Sequence, residues 1–225
     1  MNGLARVRLL QMASQAFPIG GYSHSYGLEA AVESGLVSGE ASLEQWVADV
    51  LSYSIGRYEL PLLHRMSGAW RAQDSTALGG LNEHFLATRE SAEIRGATVQ
   101  TGFSMRSLIA VLPALPEFLH DTLRRLDEPC LPCVWSGAAA AWEIPACDSA
   151  AAYAWSWAEN QVLVGMKTVP IGQSAGQRVL LNLGAHIAEL TEHEPSIEAG
   201  LSNFAPGLAI QCARHETQYS RLFRS

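Results

Sequence analysis

Charge is scarce in this sequence. Asp, Glu, Lys and Arg make up 16% of its 225 residues, against about 25% in an average soluble domain. With hydrophobic residues at 48%, either much of the chain is buried or much of its surface is kept for partners. The charge that is present is mostly negative: 15 Lys and Arg against 22 Asp and Glu give a net charge of −7. No long basic run interrupts the chain, so the electrostatic footprint of a nucleic-acid binder is missing.

Other scarcities narrow the class further. The four cysteines, Cys130, Cys133, Cys147 and Cys212, are too few and too uneven for a disulfide framework, and a reducing cytoplasm is expected. No uncharged apolar run reaches the ~18 residues of a spanning helix, and the first residues lack a signal-peptide pattern, so no membrane segment is expected. Alternating β-branched runs and hairpin dipeptides are also missing, which argues against sheet.

What the chain does have is helical periodicity. Residues 43–58 place Leu43, Trp46, Val47, Val50, Leu51, Ile55 and Tyr58 on one face, with Pro61 expected to end or kink the helix. Residues 81–112 read as one long helix weakened near Gly96 and Gly102. SGAAAAW (136–142) and residues 150–166 read as buried helices. Residues 173–191 form a further stripe, in which Gly176 and Gly184 offer places for a neighbouring helix to come close. LPALPEF and DEPCLPC are the expected loops. The fold class is therefore all-α, a single domain over 1–225 with about eight to ten helices at ~10–14 residues each.

Several candidate chemistries can be weighed on their missing parts. The stretch FPIGGYSHSYGLE (17–29) has paired glycines, but neither the strand before nor the lysine after that a phosphate loop requires. Cys130 and Cys133 have zinc-knuckle spacing without a second ligand pair, and read more simply as two loop thiols near the surface. His186, Glu189 and His193 share one helical arc and form an alternative weak metal face. No nucleophile elbow is present. No cofactor is expected.

Three stretches stand out instead. MKTVPIGQ (166–173) holds a lone Lys167 that suits a helix C-terminus. The ending ARHETQYSRLFRS (213–225) spaces Tyr219, Leu222 and Phe223 as on a helix, with arginines between them. Tyr, Phe and Arg are enriched where partners bury surface, so this tail reads as a docking segment, mobile until bound.

Together, FPIGGYSHSYGLEAAVESG, RESAEIRGATVQTG (89–102), MKTVPIGQ and RHETQYSRLFRS resemble the urease accessory protein F (UreF) family, in order and along nearly the whole chain. The middle, about 112–149, matches less clearly. The resemblance implies a cytoplasmic, non-enzymatic, homodimeric adaptor. It would join a D-type (also called H-type) accessory protein and a G-type GTPase to apo-urease for nickel delivery. The implied partner-facing residues of the first block are Tyr22, Ser23, His24, Tyr26 and Glu29, forming a protein-facing or tunnel-lining surface. Lys167 is expected to face the GTPase. In the tail the implied residues are Arg214, His215, Glu216 and Tyr219, followed by Arg221, Leu222, Phe223 and Arg224.

Overall fold

The computed structural model describes residues 1–193, 195 and 200–225. Eleven α-helical segments cover most of them: α1 (Gly3–Ala13), α2 (Leu28–Glu33), α3 (Glu40–Val50), α4 (Leu60–Arg71), α5 (Ser75–Ala87), α6 (Ala92–Val111), α7 (Glu117–Arg125), α8 (Leu131–Ala141), α9 (Ala146–Thr168), α10 (Gln173–Thr191) and α11 (Pro206–Glu216). A π-helical segment, Leu51–Glu59, joins α3 to α4 without a break. Counted as rods, these make ten helices among the described residues, with no strand, as the periodicity requires.

The rods share one core. Its centre is α9, which packs against α1, α2, α3, α4, α8 and α10. So many neighbours can approach one helix only if its side chains are small, and Ala150, Ala154, Ala158 and Gly165 on α9 are all buried. A Cβ at Gly165 would lie 2.4 Å from Leu43 Cδ2, and one at Gly176 of α10 would lie 2.6 Å from Met166 Sδ. Gly176 thus marks a close helix approach. At Gly184 the nearest atom would be Trp155 Cζ3 at 3.6 Å, an ordinary contact. No described helix is long and apolar enough to cross a membrane.

Three local readings are corrected. Pro61 neither ends nor breaks its helix, because the π segment closes with Leu60 N–H donating to Ile55 O, five residues back. Pro61 then sits at the second residue of α4 inside this continuous rod, where it has no N–H to give to the carbonyl four residues back. The Arg57 carbonyl four residues before it accepts instead from Ser202 N–H at 3.2 Å. The expected long helix over 81–112 is two helices, parted at Thr88 and restarted by Ser91, whose side chain accepts from Ile94 N–H at 3.2 Å. The stretch around Cys130 and Cys133 is less a loop than a helix start, with Cys130 as N-cap of α8. Both thiols are fully buried, not near the surface. Burial pushes Cys133 up to about 12 and Cys130 well above its usual range, which keeps both protonated.

Gly96 and Gly102 sit inside an unbroken α6, and they differ in what surrounds them. A Cβ at Gly102 would collide with the backbone of Pro129, at 2.1 Å from its oxygen, whereas one at Gly96 would meet nothing within 4 Å. Gly102→Ala is therefore expected to destabilise by about 1–3 kcal/mol in urea unfolding. Gly96→Ala should be neutral or stabilising by up to about 1 kcal/mol. A Gly102→Ala variant as stable as the parent would contradict this packing.

Candidate functional site

The blocks that stand apart in the sequence meet in space around the tail. The first supplies a receptor loop. Gly20 and Gly27 take left-handed φ of 79° and 80°, and Tyr26 between them is held at φ 52°. Gly27 is also a contact point, since a Cβ there would lie 3.0 Å from Cys212 Sγ and 3.2 Å from Cys212 N on α11. The curl aims backbone groups at the end of the chain. Ser25 and Tyr26 N–H both donate to the Ser225 oxygen, the latter at 3.0 Å, and Ser23 O accepts from Arg224 N–H at 2.9 Å.

Below the loop, α2 presents Glu29 in its first turn and α6 presents Glu93 in its own. Glu29 Oε1 accepts from Leu222 N–H at 2.6 Å, and Oε2 from Phe223 N–H at 3.1 Å. Glu29 Oε2 also faces His215 Nε2 at 3.1 Å, while His215 Nδ1 faces Glu93 Oε2 at 2.6 Å. The remaining Glu93 oxygen takes the Arg221 guanidinium at 2.5 Å. His215 is thus a fully buried ring clamped between two carboxylates.

His24 meets the tail in a different state. Its Nδ1 pairs with Ser225 Oγ at 2.8 Å and its carbonyl accepts from Asn160 Nδ2 at 2.8 Å. The ring is 2% exposed, its Nε2 has no partner among the described residues, and burial, helped by the nearby Arg224 charge, pushes its pKa down to about 4.

Residues 213–225, expected to be a partner-ordered tail, therefore pack on the chain itself in this structure. Arg214 and His215 end α11, and Glu216 Oε1 accepts from Glu93 N–H. Phe223, expected as an anchor for a partner, is buried at 8% exposure, with Lys167 Nζ 5.5 Å from its ring centroid. The helix-like spacing of the apolar residues does not produce a helix there, because α11 stops at Glu216 and the tail runs on irregularly. Arg224 reaches Gln100 Oε1 at 3.1 Å. Tyr219, Leu222 and Tyr22 stay exposed. The sequence reading did not single out Glu93, Gln100, Asn160 or Ser225. Glu93 and Gln100 lie seven residues apart on one face of α6 within the 89–102 block, a spacing that offered a signal.

Next to the clamp is a cavity of about 80 Å³, lined among others by Tyr26, Glu59, Arg89, Trp135, Tyr153 and Cys212. Arg89 and Glu59 form a buried ion pair at 2.7 Å, and Tyr153 donates its hydroxyl to the other Glu59 oxygen at 2.7 Å. Arg89 also stacks over Phe85 at 3.9 Å, and its Nη2 has no partner among the described residues. Burial raises the pKa of Tyr26, Tyr153 and Cys212, which holds all three as neutral groups. The alternative metal face does not assemble: His186 Nε2 pairs with Ser52 Oγ at 2.8 Å, and Glu189 and His193 are exposed. Among the described residues no three His, Cys, Asp or Glu side chains gather closely enough to hold a metal ion. What this arrangement does is bind a peptide segment through carboxylates, amides and one buried aromatic side chain.

Comparison with known proteins finds a UreF family model matching residues 37–184. A protein of Azoarcus sp. (strain BH72) is 51% identical over 99% of this chain and 96% of its own length. One from Dechloromonas aromatica is 49% identical over 99% and 98%. One from Cupriavidus taiwanensis is 45% identical over the full length of both. Each of the three carries the name urease accessory protein UreF.

Proposed function

The chain belongs to the UreF family of urease accessory proteins, and from that premise we propose that it is a non-enzymatic adaptor in urease maturation. It bridges a D-type accessory protein and a G-type GTPase to apo-urease, so that nickel reaches the urease active site, and it works as a cytoplasmic homodimer. The observation that carries this reading is the exposure of Tyr22, Tyr219 and Leu222 on the two segments that the clamp ties together. Large apolar side chains held on a fixed frame lose little entropy on binding, which suits a hot spot. In this reading the D-type partner covers that face, and Lys167, beside Phe223, carries the contact toward the GTPase.

Because Tyr219 and Leu222 are solvated, changing them separates docking from folding. The double variant Tyr219→Ser, Leu222→Ser should melt like the parent, since exposed positions away from special features shift stability by about 0.5 kcal/mol or less. Capture of the D-type protein in a pull-down should fall by about tenfold or more, the effect of losing a hot spot worth roughly 2 kcal/mol. Undiminished capture would remove the tail face from the adaptor reading.

A further inference from the structure

A second cavity, of about 280 Å³, lies between α6 and α7. It exists because α7 folds back along the end of α6, so that Arg106 on α6 reaches the carbonyls of Leu123 and Leu126 at the far end of α7. The α6 side lines the cavity with Arg106, Ser107 and Ile109, and the α7 side with His120, Leu123 and Arg124. All three ionisable side chains in that wall are basic, and among the described residues no Asp or Glu joins them. In a chain with 22 acidic residues against 15 Lys and Arg, such a wall favours a negatively charged occupant.

Arg106 is fixed in place before any ligand arrives. Its Nη1 donates to Leu123 O at 3.1 Å and to Leu126 O at 2.7 Å, and its guanidinium lies over Phe103, 4.2 Å from the ring centroid. Those two bonds answer carbonyls at the C-terminus of α7 and use both hydrogens of Nη1. A guanidinium carries five N–H donors in a planar fork, so Nε and both hydrogens of Nη2 are not spent on either carbonyl. Arg124 stands one turn beyond His120 on the same face of α7. Its Nη1 meets Asp121 Oδ1 at 3.0 Å, but that pair is exposed and contributes little, so the side chain turns to an anion at small cost. With Asp121 counted against Arg124, Arg106 still leaves one positive charge in excess.

From this geometry we propose that the cavity between α6 and α7 is a binding site for the phosphate group of a small anion, held by Arg106, Ser107, His120 and Arg124. A guanidinium from each helix, a hydroxyl and an imidazole offer more donors than the two oxygens of a carboxylate take up, and they suit the three terminal oxygens of a phosphate. Ile109 and Leu123 are buried and give the cavity an apolar wall for the carbon part of a phosphate ester. The volume falls just below the range of about 300–1,000 Å³ usual for small-molecule sites. No residue of the tail or of the receptor loop lines this cavity, so its failure would leave the adaptor reading standing.

The test is a nitrogen-15 NMR titration of the whole chain with glycerol 3-phosphate, with inorganic phosphate and with succinate. Ionic strength is held constant, so that screening of surface charge does not change. The expected result is a saturable shift of the Ser107 and Arg124 amides with the ester, at a Kd of about 1 mM or tighter. Arg124→Gln, an exposed substitution checked by thermal melting, is expected to weaken binding about tenfold, the effect of losing a hydrogen bond to a charged group. Inorganic phosphate bound as tightly as the ester identifies the free ion as a sufficient occupant, and tighter binding of the ester shows that the apolar wall is used. Succinate bound as tightly as either phosphate overturns the phosphate assignment. Shifts that grow without saturating up to about 10 mM, ten times that Kd, overturn the site. Parent-like affinity in Arg124→Gln overturns it as well. If that variant does not fold, the titration of the parent decides alone.

Discussion

Glu59→Ala is expected to cost about 3–5 kcal/mol of folding stability, the usual penalty for stripping one partner from a buried ion pair. The Arg89 side chain is 3% exposed, and one of its guanidinium nitrogens already lacks an acceptor among the described residues. Without Glu59 it would be a buried cation left with the Tyr58 and Phe85 rings and the Glu90 charge, and the Tyr153 hydroxyl would lose its acceptor too. Guanidinium is effectively always protonated, so the residue cannot escape by neutralising. The double variant Glu59→Met, Arg89→Met should recover most of the loss, because well-packed hydrophobic residues often replace a buried pair at little cost. Urea unfolding of the three chains checks both statements. A single-variant cost below about 1 kcal/mol would mean that water reaches the pair freely.

A loss of about 3 kcal/mol is expected on acidifying from pH 6.5 to 4, caused by His24 alone. Its pKa is lowered from 6.5 to about 4 in the folded chain, and each unit of difference corresponds to about 1.4 kcal/mol. The sign follows from proton counting. Below pH 6.5 the unfolded chain takes up a proton that the folded chain refuses until about pH 4, so acid favours unfolding across that window. Above 6.5 both states are neutral at this residue and the effect vanishes. Carboxylates also titrate toward the acid end, so the quantity to measure is the difference in pH slope between the parent and His24→Asn. Slopes that coincide from pH 6.5 to 4 would show that the ring is solvated in the native state.

These two effects illustrate what was legible in the sequence. The apolar stripe of 173–191 gave α10 with its observed bounds, because helical periodicity is a local property carried by neighbours three and four residues apart. The same reasoning gave the all-α class and the helices around 136–142 and 150–166. It failed where a distant group took over a local duty. Ser202 relieves the Arg57 carbonyl and lets the helix run through Pro61. Asn82 Oδ1 accepts from Cys130 N–H and Pro129 presses on Gly102, fixing a helix start where the proline pattern predicted a loop.

The sequence by itself settled helix content and family, and picked out the blocks that meet at the site. Only the tertiary structure decided that those blocks face one another. Glu29 and His215 are 186 residues apart in the chain, and Glu59 and Tyr153 are 94 apart. Nothing in the spacing of residues along the chain encodes such pairs. They form because burial in one core removes water as the competing partner, so each buried charge must find its match within the protein.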